Sequence, residues 1–254
     1  MELNLKDKHV LITGGSKGIG YACAAAFLAE GARVSLVSRS LEHLEAARQR
    51  LGAAVAGSHD RIHLHAADLQ NPQGASAALA SAEAAFGAVD VLVNSAGAAR
   101  RTPPEELNAQ AWHDAMNAKF FTYVHMLDLV VKKIGARGQG AIVNVVGAGG
   151  KVASPIHMPG GAANAALMLV SAGMAAAYGP MGVRVNAVNP GATHTERLQS
   201  GMQATARMLN ISEEEALARP EEVADVVLFL ASGRASYVTG VVLTMDGAAT
   251  PMVV

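Results

Sequence analysis

The sequence predicts an α/β protein built on a doubly wound parallel sheet with helices on both faces. Seven short apolar runs alternate with helical patterns along the whole chain, which is the order of a parallel sheet joined by crossover helices. Strands of such a sheet, buried on both faces, should read as continuous apolar runs, as Val10-Leu11-Ile12 does. A chain of 254 residues that is 51% hydrophobic and only 16% charged has the material for such a core, and it reads as a single domain over residues 1–254.

The elements follow in order. Val10-Leu11-Ile12 reads as the first strand, and a helical pattern then runs through Ala22 to Glu30. Further strands are expected at Val34–Val37, Arg61–His65, Val89–Asn94, Ala141–Val146, Val183–Val188 and Val241–Met245. Between them, helices are expected at Leu41–Leu51, Gln73–Phe86, Ala111–Ile134, Gly161–Tyr178 and Pro220–Ala231. Two irregular stretches, Gly147–Gly160 and Gly191–Glu213, leave the C-terminal ends of expected strands. Ligands sit at that edge of an open α/β sheet, so both are candidate substrate walls.

Charge and composition exclude several function classes. A net charge of −1 without long runs of one sign gives no electrostatic footprint for nucleic acid or a membrane surface, leaving a small molecule as the expected partner. One cysteine, Cys23, permits no internal disulfide, and the start Met-Glu-Leu-Asn-Leu-Lys-Asp-Lys is too charged for a signal peptide. A cytoplasmic protein is expected. Ala162–Tyr178 is the most membrane-like stretch, but Asn164, Ser171 and Gly173 interrupt it. It reads as a helix buried within the protein or between subunits. His63 and His65 share one strand face without a further ligand pattern, so no metal site is expected.

The first strand leads into Thr13-Gly14-Gly15-Ser16-Lys17-Gly18-Ile19-Gly20. A strand, a glycine turn and a helix N-terminus point backbone N–H groups and a helix dipole at one spot, which suits a pyrophosphate. The second strand ends in Ser38-Arg39 with no acid before Glu42. A free ribose 2′-hydroxyl is usually held by an acid there, whereas a 2′-phosphate needs cations, and Lys17 with Arg39 can supply them. NADP(H) is therefore expected over NAD(H).

The spacing Gly14-x-x-x-Gly18-x-Gly20 resembles that of the short-chain dehydrogenases/reductases, and further motifs match the family in order. Asp68 follows the third strand, Asn94-Ser95-Ala96-Gly97 ends the fourth, and Asn117 falls within Trp112–Phe121. Asn186 to Gly191 resembles the family's Asn-x-x-x-Pro-Gly, and Thr239-Gly240 with Asp246-Gly247 its C-terminal pattern. The resemblance implies a Rossmann-type fold and a homo-oligomer, tetramer or dimer. It implies cofactor contacts from Gly14, Ser16, Lys17, Gly18, Ile19, Gly20, Arg39, Asp68, Leu69, Asn94, Ala96, Gly97, Asn164, Pro190, Gly191 and Thr193, and a catalytic role for Asn117.

The family's chemistry also uses a Tyr as proton donor, a Lys one helical turn later and a Ser about 13 residues earlier. Aligned on Ala141-Ile142-Val143-Asn144 and Asn164-Ala165-Ala166-Leu167, this chain has Gly147, Gly160 and Asn164 at those positions. No Tyr in the chain has a Lys four residues later. Losing a general acid alone lowers rates by about 10² to 10⁴, so ordinary ketone or alcohol chemistry by the family route is not expected.

Three readings follow. An atypical NADP(H)-dependent oxidoreductase could serve a quinone or conjugated carbonyl, whose delocalised anion needs no strong acid. A non-redox enzyme on the same scaffold could use His157 or Lys151, with His194 or Arg100 as further candidates. A catalytically inactive protein could bind NADP alone. His157 lies three residues before the Tyr position, and an imidazole suits acid–base work near neutrality, so it is the candidate catalyst beside Asn117.

Overall fold

The computed structural model describes residues 2–97, 100–193 and 218–249. Among them, seven strands form one parallel sheet: β1 His9–Thr13, β2 Arg33–Ser38, β3 Ile62–Ala66, β4 Val91–Asn94, β5 Gly140–Val145, β6 Val183–Pro190 and β7 Val242–Met245. Their order across the sheet is β3-β2-β1-β4-β5-β6-β7. The chain winds outward from β1 through β2 to β3, then returns to β4 and winds the other way. That reversal opens a crevice beyond the C-terminal ends of β1 and β4.

Among the described residues, seven α-helices accompany the strands: α1 Gly18–Ala29, α2 Leu41–Ala54, α3 Pro72–Phe86, α4 Ala109–Ala115, α5 Thr122–Arg137, α6 Met158–Tyr178 and α7 Pro220–Ala231. Alternation along β1 explains the layers. Val10 and Ile12 pack with Phe27 of α1, Leu44 of α2 and Val223 of α7 on one face, while Leu11 packs with Leu79 of α3, Leu127 of α5 and Ala175 of α6 on the other. Because consecutive strand side chains point to opposite faces, an unbroken apolar run serves both layers. Cys23 lies in the first layer, free and fully buried, and burial pushes its thiol pKa up to about 12, which leaves it unreactive.

Helix starts follow local chemistry. The Ser40 hydroxyl accepts from His43 N–H at the start of α2, and the Asn71 side chain accepts from Gln73 N–H before Pro72 opens α3. α1 differs, because no side chain caps its N-terminus. Its first N–H groups face the crevice.

The helix expected over Ala111–Ile134 is not uniform. α4 passes through a π-helical turn, Met116–Phe121, into α5. An inserted residue rotates the helix face, so side chains around the turn depart from the 3.6-residue pattern, as happens frequently at functional sites. The irregular stretch after β5 contains two short 3-10 turns, Ala148–Gly150 and Pro155–His157, before α6 begins. Pro155–Met181 is long and apolar enough to cross a membrane by length and composition, yet it packs along β6 as a layer helix.

Candidate active site

The crevice is held open by buried polar groups at the strand ends. Thr13 Oγ1 donates to Asn94 Oδ1 at 3.3 Å, Asn94 Nδ2 to Asn144 Oδ1 at 3.0 Å, and Asn144 Nδ2 to Ser171 Oγ at 2.9 Å. Thr13 Oγ1 also accepts from the Ser95 and Ala96 N–H groups. This chain of hydrogen bonds ties β1, β4, β5 and α6 together and fixes the loop after β4. Asn94 is fully buried in it, so its side chain shapes the crevice edge from behind. Losing one member would strand its partners and cost about 1–3 kcal/mol.

Two cavities meet at Ser95 and Gly97. One, of about 300 Å³, is lined by Gly14, Ser38, Arg39, Asp68, Leu69 and Ala96 among others. The other, of about 580 Å³, is lined by residues that include Lys17, Gly18, Ile19, Gly147, Pro190 and Thr193. Arg39 and Asp68 are exposed at the rim of the first cavity, while Leu69 is buried in its wall. Lys17 belongs to the second cavity, so the two cations read together from the sequence lie on different halves. Ser16 is buried, and Arg50 of α2 donates to its carbonyl at 3.2 Å. Arg50 also sits over the Tyr21 ring at 4.5 Å and lines the second cavity. Nothing in the glycine motif marked it, because α2 brings it back over the turn.

The glycines act by close approach. A Cβ on Gly20 would lie 2.3 Å from the Gly14 carbonyl oxygen, and one on Gly97 would lie 2.4 Å from that of Ala118. Gly14 and Gly97 also have φ of +70° and +110°, which L side chains rarely adopt.

At the far end, Gly147 lines the second cavity, and Asn189 Oδ1 accepts from its N–H at 3.3 Å. Its backbone, φ +123° and ψ +146°, is a glycine conformation. The Asn164 Nδ2 lies 3.5 Å from where a Gly147 Cβ would be. Asn164 is buried, and its Oδ1 has no hydrogen-bond partner. Gly160 is buried in the first turn of α6. His157 precedes that helix, half-buried, with its Nε2 3.4 Å from a Gly149 Cβ position. Gly147, Gly149, Asn164 and His157 therefore form one neighbourhood.

Asn117 stands apart: its side chain is exposed and its carbonyl accepts from Thr122 Oγ1 at 3.0 Å. Two residues later, Lys119 points inward and lines the second cavity. Lys151 donates to Thr244 Oγ1 at 3.3 Å, and Arg100 pairs loosely with Glu106 at 4.0 Å. His194 lies outside the described residues. Among the described residues no group of three His, Cys, Asp or Glu side chains could hold a metal ion.

A doubly wound parallel sheet with a glycine turn and an uncapped helix at its switch point defines a dinucleotide-binding α/β protein. The chain belongs to the short chain dehydrogenase family, whose model matches residues 8–206. It is 35% identical to D-threitol dehydrogenase of Mycolicibacterium smegmatis over 252 residues, covering 98% of this chain and 95% of that one. It is 32% identical to the peroxisomal 2,4-dienoyl-CoA reductase, (3E)-enoyl-CoA-producing, of Rattus norvegicus over 247 residues, covering 96% and 84%. Among solved structures, it resembles the NADPH-bound short chain oxidoreductase from Pseudomonas aeruginosa PAO1 containing an atypical catalytic center. That match has a TM-score of 0.88 and 28% identity, covering 98% of this chain and all of the other.

Proposed function

We propose that the protein is a cytoplasmic NADP(H)-dependent oxidoreductase with a non-standard active site, acting on a quinone or conjugated carbonyl. The observation that supports this reading is a cleft lined by both the glycine turn and Gly147, in a chain where no Tyr has a Lys four residues later. A reduced nicotinamide, when bound, supplies hydride. The chain's residues do the rest. The N–H groups at the start of α1, with Lys17 and Arg50, suit a pyrophosphate, and Arg39 with Ser38 suits a 2′-phosphate. The unsatisfied Asn164 Oδ1 offers an acceptor to a ribose hydroxyl. A flat conjugated acceptor fits beside the bare Gly147 backbone, and its anion is delocalised, so water or the His157 imidazole can protonate it. The likeness to a dienoyl-CoA reductase and to an NADPH-bound oxidoreductase with an atypical centre supports the same choice.

The test is NADPH oxidation with a benzoquinone and with an acyclic enone, against simple ketones as comparison. Turnover confined to the conjugated acceptors is expected; reduction of ketones alone would overturn the reading. Arg39→Ala is expected to narrow the preference for NADPH over NADH by about tenfold, since one charge-assisted contact to the phosphate is lost. Titration of both cofactors against wild type and variant checks this, and an unchanged preference would remove Arg39 from the account.

A homo-oligomer, tetramer or dimer, is part of the same proposal. α6 carries Leu169 at 77% exposure within a nearly uncharged helix, an apolar face that favours covering. Light scattering at micromolar concentration is expected to report more than one chain per particle, and a monomer would sink the idea.

A further inference from the structure

The structure assigns Lys119 a place that the glycine turn does not mark: we infer that its ammonium donates to the substrate oxygen on which charge collects, with Tyr123 as its positioning residue. This deepens the oxidoreductase reading and rests on it. Lys119 sits in the π-helical turn between α4 and α5 and is only 8% exposed. Its Nζ donates to Tyr123 Oη at 3.0 Å and to the Val145 carbonyl at 3.2 Å. Tyr123, fully buried, donates through Oη to the same carbonyl. Lysine and tyrosine are thus four residues apart on one helix face, in the reverse order to the missing pair.

Three observations converge on a ligand. Burying an ammonium is expensive, so a protein that does so usually uses the charge. The Lys119 side chain forms part of the second cavity's wall together with Ser95, Gly97, Val145 and Gly147, where the glycine turn and the end of β5 face each other. Asn164, with a buried acceptor left unmet, closes the same neighbourhood against Gly147. A fixed donor on one side and an unmet acceptor on the other suit an oxygen anion beside a hydroxyl. A preorganised ammonium stabilises an enolate or phenolate oxygen, and it does so without giving up its own proton. Tyr123 and Val145 hold the ammonium from the protein side, which limits its reorganisation.

The experiment uses the full chain saturated with NADP+ and titrated with 4-nitrophenol, a stand-in for the anion of a reduced quinone. The absorbance band of the phenolate reports its protonation when bound. Wild type is expected to bind the probe as phenolate at a pH where the free phenol is largely protonated. Lys119→Met, close in volume, should weaken binding by about 10-fold to 100-fold and lose the phenolate band. Lys119→Arg should keep most of the band, and Tyr123→Phe, which leaves the charge but removes its anchor, should fall between. Each variant is also titrated with NADPH. Wild type that binds NADPH but not the phenolate, or Lys119→Met that binds it as wild type does, would overturn the assignment and leave the oxidoreductase reading standing. Wild type that fails to bind NADPH would overturn both. If Lys119→Met does not fold, Lys119→Gln takes its place, and an unaltered phenolate band in that variant would overturn the assignment.

Discussion

Gly20→Val is expected to abolish measurable NADPH binding. The Cβ would lie 2.3 Å from the Gly14 carbonyl oxygen, and the contact is backbone against side chain, so no flexible neighbour can yield. α1 would have to move away from the glycine turn. Its N-terminal N–H groups, uncapped by any side chain, would then lose their common aim, and losing two charge-assisted contacts weakens binding by about 100-fold or more. Calorimetric titration with NADPH, beside circular dichroism to show that the chain folds, checks the result. Gly52→Ala is the contrasting variant. Gly52 lies inside α2 with only His59 Cδ2 near a new Cβ, at 3.9 Å, and alanine there should add about 0.5–1 kcal/mol of stability. Tight NADPH binding by Gly20→Val would mean that the turn does not hold the cofactor.

The sheet was legible because burial on both faces leaves an unmistakable trace. Val10–Ile12 is apolar throughout and Ala141–Val146 at every position but Asn144, and such runs have no amphipathic alternative. The glycine turn was legible for a similar reason: it needs particular backbone geometry, so its residue types are forced. Helix faces around Lys119 were not. Read with a regular 3.6-residue period, Ala111–Ile134 places no special weight on Lys119, and only the π-helical turn brings it inward while Asn117 faces out. A search for Tyr followed by Lys also passes over Lys119 followed by Tyr123, although four residues join a helix face in either order. Arg50 carries no local signal in the sequence, because its contact with the Ser16 carbonyl spans 34 residues. The family resemblance points to Asn94 as a cofactor contact, yet its side chain bonds to Thr13 and Asn144.

Putting the family's side chains back, as Gly147→Ser, Gly160→Tyr and Asn164→Lys, tests how far the backbone itself has departed. Residues that act as a unit are restored together or not at all, so single changes should give no ketone reduction. The triple variant meets a further obstacle at Gly147. Its φ of +123° with ψ of +146° is a region that essentially only glycine occupies, and Asn189 Oδ1 pins its N–H. A serine there costs about 1–3 kcal/mol unless the loop rearranges, which for a chain of this size lowers the melting temperature by about 2–4 °C per kcal/mol. The ammonium introduced by Asn164→Lys would also enter the neighbourhood of the Lys119 charge, and like charges oppose each other where water is scarce. The expected outcome is therefore a destabilised triple variant with no more than a trace of NADPH oxidation on simple ketones, while a variant that adds Lys119→Asn to the three should lose that repulsion and show more. Thermal melts and initial rates on both variants decide it. Full ketone reductase activity in the triple variant at unchanged melting temperature would mean that the glycine backbone is no barrier and that only the side chains had been lost.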